Sequence, residues 1–119
     1  MADRRAAERA GRTAERRAAW LLRLKGYRIE ACRFRCAAGE IDLVARRWRT
    51  YAFVEVKARP THAEARRAVT RANWQRVARA AEAYQARRLG TMTAQVRFDL
   101  VTVADGWPRH APDAWRPGG

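Results

Sequence analysis

The sequence predicts an α/β domain: a mixed β-sheet sandwiched between helices. Three observations predict it. An Ala- and Arg-rich segment with an apolar stripe at helical spacing opens the chain. Three runs of strand-type residues follow in close succession. A second amphipathic segment then separates those runs from one more strand-like stretch. At 119 residues the chain suffices for one small domain and is too short for two ordinary ones. A single domain is expected over residues 1–119, with 107–119 a partly irregular C-terminal tail.

The first helix is expected from Ala2 to about Lys25. Ala and Arg favour helix, and Ala14, Ala18, Leu21 and Leu22 share one face. Gly26 supplies the stop. Gly11 weakens the middle and argues for an ordered start near Arg12. Tyr27 to Arg35 alternates and reads as a strand. Ala37-Ala38-Gly39 turns the chain into Gly39–Ala45, which pairs with Tyr51–Lys57 as a hairpin around Arg46–Thr50. Ala58 to Ala65 reads as a loop broken by Pro60. A second helix runs from Glu64 or Thr70 to Arg88 and stops at Gly90, with Trp74, Val77, Ala78, Ala81 and Tyr84 as its buried stripe. Val96–Val103 is the last strand. It places Val96, Phe98 and Leu100 on one face and Arg97, Asp99 and Val101 on the other, with Arg97 and Asp99 read as a structural pair. Asp105-Gly106 is a turn. Prolines and glycines follow Trp107, and Trp115 is expected to dock on the core.

The formal net charge is +14, which favours polyanionic partners, nucleic acid first among them. Cys32 and Cys36 lack the companion ligands a structural zinc needs, and His62 and His110 stand alone. The thiols read as free and the location as cytoplasmic. The N-terminus is charged rather than apolar, and no apolar run is long enough to span a bilayer, so no membrane partner is expected.

The hairpin carries the chemistry. On its second strand Tyr51, Phe53, Glu55 and Lys57 face one way, and on the first Glu40 and Asp42 share a face opposite Ile41 and Leu43. In register, Asp42, Glu55 and Lys57 come together. Two carboxylates and an ammonium suit a hard divalent cation, Mg²⁺ or Mn²⁺, with a group that handles a nucleophilic water. Only Lys25 and Lys57 of the 26 basic residues are lysine, yet lysine fills the Glu-x-Lys slot. A compact ammonium with a tunable pKa serves there better than a permanently charged fork. Glu40 is an additional candidate. Glu15, near the apolar stripe of the first helix, is either a surface partner of Arg12 or Arg16 or a carboxylate leaning over the hairpin. Arg33 and Arg35 either reach phosphate or are simply solvated. Trp48 sits among arginines in the hairpin turn, where it caps the hairpin or stacks on a base. Gln75, Arg76, Arg79 and Arg87 lie off the buried stripe of the second helix and give it a basic face for a phosphate backbone.

Asp42 followed by Glu55-Val56-Lys57 resembles the PD-(D/E)xK nuclease pattern. The longer match, Gly39-Glu40-Ile41-Asp42-Leu43 with Phe53-Val54-Glu55-Val56-Lys57, resembles the bacterial YraN family of predicted endonucleases, themselves similar to archaeal Holliday-junction resolvases. Gly11-Arg12-x-Ala14-Glu15, Gly26-Tyr27-x-Ile29 and Arg97-Phe98-Asp99 extend the resemblance along most of the chain. It implies a restriction-endonuclease-like three-layer α/β sandwich with a central mixed sheet. It also implies metal-dependent hydrolysis of DNA phosphodiesters, with branched or repair intermediates as substrates and a homodimer as assembly. Glu15, Asp42, Glu55 and Lys57 become the catalytic set, Asp42 and Glu55 the metal ligands, and Arg12, Arg35, Arg59, Gln75, Arg76 and Arg79 the nucleic-acid contacts. Two departures stand out: Asn73 replaces a family lysine, and the loop after Lys57 is short and lacks a family glycine. Charge alone fits two rivals equally: a non-catalytic nucleic-acid-binding module on the same fold, and an Arg-rich protein bound structurally to protein or ribosomal RNA.

Overall fold

The computed structural model describes residues 2–118, with side chains from Arg4 onward. Helix α1 spans Ala2–Leu24. Three strands follow: β1 (Arg28–Cys36), β2 (Gly39–Arg47) and β3 (Thr50–Ala58). Helices α2 (His62–Arg67) and α3 (Arg71–Tyr84) lead to β4 (Gln95–Ala104) and β5 (Trp107–Trp115). One five-stranded sheet has the order β1-β2-β3-β4-β5. It is mixed: β3 and β4 run parallel, and the other neighbours are antiparallel.

A helix covers each face, as the two apolar clusters require. Ala14, Ala18 and Leu22 of α1 pack on Leu43, Ala45, Val54 and Val101. Trp74, Val77, Ala81 and Tyr84 of α3 pack on Ile41, Val44, Phe53, Phe98 and Leu100. The expected stripe of α3 is therefore present, and so is that of α1 apart from Leu21, which is half-buried and outside the cluster. On β4, Phe98 and Leu100 face α3 and Val101 faces α1 as expected, while Val96 is exposed. A parallel β3–β4 pair needs a long crossover, and α2 with α3 supplies it.

Four expectations need correction. Gly11 does not delay α1, which is helical from Ala2; nothing lies within 4 Å of where a Gly11 Cβ would stand. The loop expected over 58–65 holds the start of α2, capped by Thr61, whose Oγ1 accepts from the Glu64 N–H. The second helix is two: Thr70 restarts the chain as the N-cap of α3. A π-helical turn, Gln85–Leu89, then carries α3 to Gly90, which adopts the expected left-handed stop at φ 69°. Finally, the tail expected from Trp107 is largely strand β5. It lies at the sheet edge, where proline costs no essential ladder bond, and Pro112 falls in the register shift between the Leu100 and Phe98 pairings. Trp115 docks as expected, stacked on Trp74 at 5.9 Å.

Gly39 has a specific reason to be glycine. A Cβ there would meet the Arg76 carbonyl oxygen at 2.9 Å. The start of β2 thus lies directly against α3, on backbone that cannot yield.

Candidate active site

Regular alternation fails at Asp42. Strict period two would put Ile41 and Leu43 on one face, but Ile41 packs under α3 and Leu43 under α1. Pairing of β2 with β3 runs from Arg47↔Thr50 to Leu43↔Val54. At that end the Asp42 carboxylate, not a strand carbonyl, accepts the Val56 N–H at 2.8 Å. The expectation that Glu40 and Asp42 share a regular strand face opposite Ile41 and Leu43 is therefore corrected. The side chain of Asp42 stands in for a missing ladder bond, which fixes its position to the backbone between Glu55 and Lys57.

Glu55 is buried, and its Oε1 lies 3.3 Å from the half-buried Lys57 Nζ. Desolvation, followed by the neighbouring charge of Glu55, pushes Asp42 up to about 7; Glu15 and Glu40 add to the repulsion. Glu55 is also raised, by burial above all, against the restraining pull of Lys57. The geometry thus brings Asp42, Glu55 and Lys57 together as expected.

Glu15 reaches the same neighbourhood from α1. It pairs with neither Arg12 nor Arg16 but with Arg33, whose Nε donates to Oε1 at 2.7 Å. Arg33 has φ 53°, a kink in β1 that sequence alternation does not reveal. Arg33 therefore has a local partner rather than a free guanidinium. Glu40 pairs with Arg35 at 3.1 Å on the exposed rim.

The expected nucleic-acid contacts divide. All six side chains are exposed. Arg12 lines a hollow with Glu15 and Arg33, and Arg59 lines another with Lys57. Arg76 abuts Gly39 and lowers the pKa of Glu55. Arg35 is tied to Glu40. Gln75 and Arg79 lie on α3 without a contact to the carboxylates among the described residues. Trp48, at 88% exposure with φ 57°, occupies the two-residue β2–β3 turn and covers no core.

Away from this cluster, the structural pair Arg97–Asp99 is borne out and enlarged. Asp99, 0% exposed, accepts from the Arg97 guanidinium, from His110 and from the Asp113 N–H. His110, which the sequence left alone, joins it to Lys25, whose ammonium donates to Nδ1 while Nε2 faces the carboxylate. His62 bonds Thr102 and ties α2 to β4. Both cysteines are free thiols. Among the described residues no helix is long and apolar enough to cross a membrane.

The sequence pattern of the Uncharacterised protein family UPF0102 matches residues 14–103. The chain belongs to this family. Glu15, Asp42, Glu55 and Lys57 all lie inside the matched span. The chain is 51% identical over 117 residues to a UPF0102 protein of Paramagnetospirillum magneticum, covering 93% of this chain and 90% of the relative. It is 50% identical over 117 residues to one from Maricaulis maris, covering 97% and 91%. Against one from Bartonella henselae the identity is 48% over 103 residues, covering 86% and 82%.

The raised Asp42 has a consequence for stability. A carboxyl titrating near 7 in the folded chain and near 3.8 unfolded holds an extra proton only when folded, in the window between. Stability then falls as pH rises from about 4 to about 7. Glu55 shifts the same way. Asp99 acts oppositely and lower: burial alone would raise it, but bonds from Arg97, His110 and Asp113 hold it at about 2. We expect the melting temperature of metal-free protein, relative to that of Asp42→Asn, to decline from pH 4 to pH 7. Parallel profiles for the two proteins would rule out the shifted carboxyl.

Proposed function

We propose that this UPF0102 chain is a metal-dependent endonuclease that hydrolyses phosphodiester bonds in DNA, built on a restriction-endonuclease-like fold and corresponding to the YraN endonucleases it resembles. The observation that carries the reading is the Asp42–Glu55 pair. Two carboxylates are held in mutual repulsion beside an ammonium, at a place where a sheet ladder opens. Such an arrangement costs stability unless a cation offsets it.

The residues fit Mg²⁺ or Mn²⁺. No group of three or more His, Cys, Asp or Glu side chains gathers for a metal among the described residues, so the protein would supply Asp42 and Glu55, with a strand carbonyl such as that of Val56. Mg²⁺ is commonly held by one or two carboxylates and keeps several waters. When bound, such an ion lowers the pKa of a water and offsets charge developing on phosphate. Lys57 then orients the attacking water or faces the phosphate charge, its ammonium already held by Glu55. Glu15, braced by Arg33, adds a smaller repulsion to Asp42 from α1. Arg12, Arg35, Arg59, Gln75, Arg76 and Arg79 hold the sugar–phosphate backbone. The acidic pocket repels phosphate until neutralised, which separates binding from cutting.

The test is a panel of linear, single-stranded, flapped and four-way DNA with Mg²⁺ or Mn²⁺. Cleavage is expected with metal, and binding without cleavage in EDTA. Cleavage surviving EDTA would refute the metal. Tight binding with no cleavage of any substrate would favour the non-catalytic module.

A further inference from the structure

A groove made of three adjoining hollows with shared lining residues leaves the candidate site along α1. Beside Lys57 it is lined by Gly11, Ala14, Val56 and Arg59, with Glu15 at the end nearest the site. The next stretch shares Ala14 and Arg59 and adds Thr13, Arg17, Asp105 and Gly106. A third stretch, a cleft of ≈620 Å³, shares Thr13, Arg17 and the Asp105-Gly106 turn and ends between Trp20 and Trp107. Those two rings are 53% and 70% exposed. Two large aromatic faces left in water on one cleft mark a binding surface.

The cleft is built rather than incidental. Asp105 and Gly106 have φ of 51° and 79°, the paired left-handed geometry of a tight hairpin turn, which aims Trp107 back towards α1. Arg17 Nη1 donates to the Gly106 carbonyl at 3.1 Å, fixing the turn to the helix and holding a guanidinium in the groove. Arg16 precedes Trp20 by one helical turn. Along the stretch beyond Lys57, Arg16, Arg17 and Arg59 face a single lining carboxylate, Asp105. A run of cations that leads to a pair of aromatic faces suits a sugar–phosphate backbone carrying flat bases. A duplex cannot present its bases so, because they are already stacked on one another. From Gly11 to Trp20 the helix advances about 13 Å at 1.5 Å per residue, the length of about four stacked nucleotides at ~3.4 Å each.

We propose that this groove holds an unpaired strand leading away from the Asp42–Lys57 site, with phosphates on Arg59 and Arg17 and bases stacked on Trp20 and Trp107. The inference rests on the reading of the chain as a nucleic-acid-binding protein, and narrows its substrate to a duplex bearing a single-stranded arm.

The test measures fluorescence anisotropy of a labelled blunt duplex and of the same duplex with a ten-nucleotide thymidine tail, in EDTA at fixed salt. Wild type is expected to bind the tailed form about tenfold tighter. Trp20→Ala with Trp107→Ala should bring tailed affinity down to the blunt value, leave blunt affinity unchanged and keep the thermal melt cooperative. Trp20→Phe with Trp107→Phe should recover much of the preference, since the ring face is kept. Equal wild-type affinity for both duplexes would overturn the groove assignment alone. A parallel loss on both duplexes in the alanine variant would also overturn it. So would a changed oligomeric state without a changed tail preference, which would make the rings a contact between copies. Absence of binding to either duplex by wild type would remove the nucleic-acid reading itself, a separate and recognisable failure.

Discussion

Asp42→Asn is expected to abolish metal-dependent cleavage, by about 10³-fold or more, while DNA affinity in EDTA stays within about twofold. The magnitude follows from losing an interaction of several kcal/mol in the transition state, at 1.36 kcal/mol per tenfold. The amide keeps an oxygen that can accept the Val56 N–H, so the local backbone is retained. What it loses is the anionic charge. Because that charge is unfavourable beside Glu55, the variant should be no less stable than wild type above pH 7 without metal. Single-turnover cleavage and Mn²⁺ titration calorimetry check the two halves. Cleavage near the wild-type rate would remove Asp42 from the site, whatever its neighbours do.

Asp99→Ala is expected to be the most damaging substitution for stability, by about 3–5 kcal/mol, since it strands the other members of a buried charged network. For a domain of this size that is a fall of about 15 °C or more in Tm. The carboxylate is wholly buried and bonded to Arg97, His110 and the Asp113 N–H. Its loss leaves Arg97 and the His110 ring without their acceptor and frees the bulge of β5. Thermal denaturation at pH 7 measures it. A change below about 1 kcal/mol would mean that β5 is held by Trp115 and its ladder alone.

The sequence spoke clearly where a short-range period governs structure. Alternation placed Glu55 and Lys57, and helical spacing placed the stripes of α1 and α3, because one buried face dictates each pattern. It was silent where a local break overrides the period. Nothing in Ile41-Asp42-Leu43 announces that the strand changes face there; the break exists because a side chain replaces a carbonyl in the ladder. The Arg33 kink that delivers a partner to Glu15 is likewise a backbone event. Strand β5 was hidden by Pro108 and Pro112, residues an edge strand tolerates and an interior one does not. Aromatic exposure at Trp20 and Trp107 depends on how α1 meets a distant turn, a relation absent from any window of sequence.

The parallel pairing of β3 with β4 also orders the folding of the molecule in time. Thr50 pairs with Gln95, forty-five positions away, whereas β1, β2 and β3 form a meander closed by short turns. Closing the long loop carries the larger entropy cost, and non-local pairing is slow. The meander with Asp42, Glu55 and Lys57 can therefore assemble before β4 arrives, while those carboxylates are still hydrated and their repulsion is weak. Docking of β4 and β5 then desolvates the carboxylates, which strengthens their repulsion. The barrier to that last step should rise as the carboxylates ionise and fall when a divalent cation is present, so metal would act on refolding kinetics as well as on equilibrium stability.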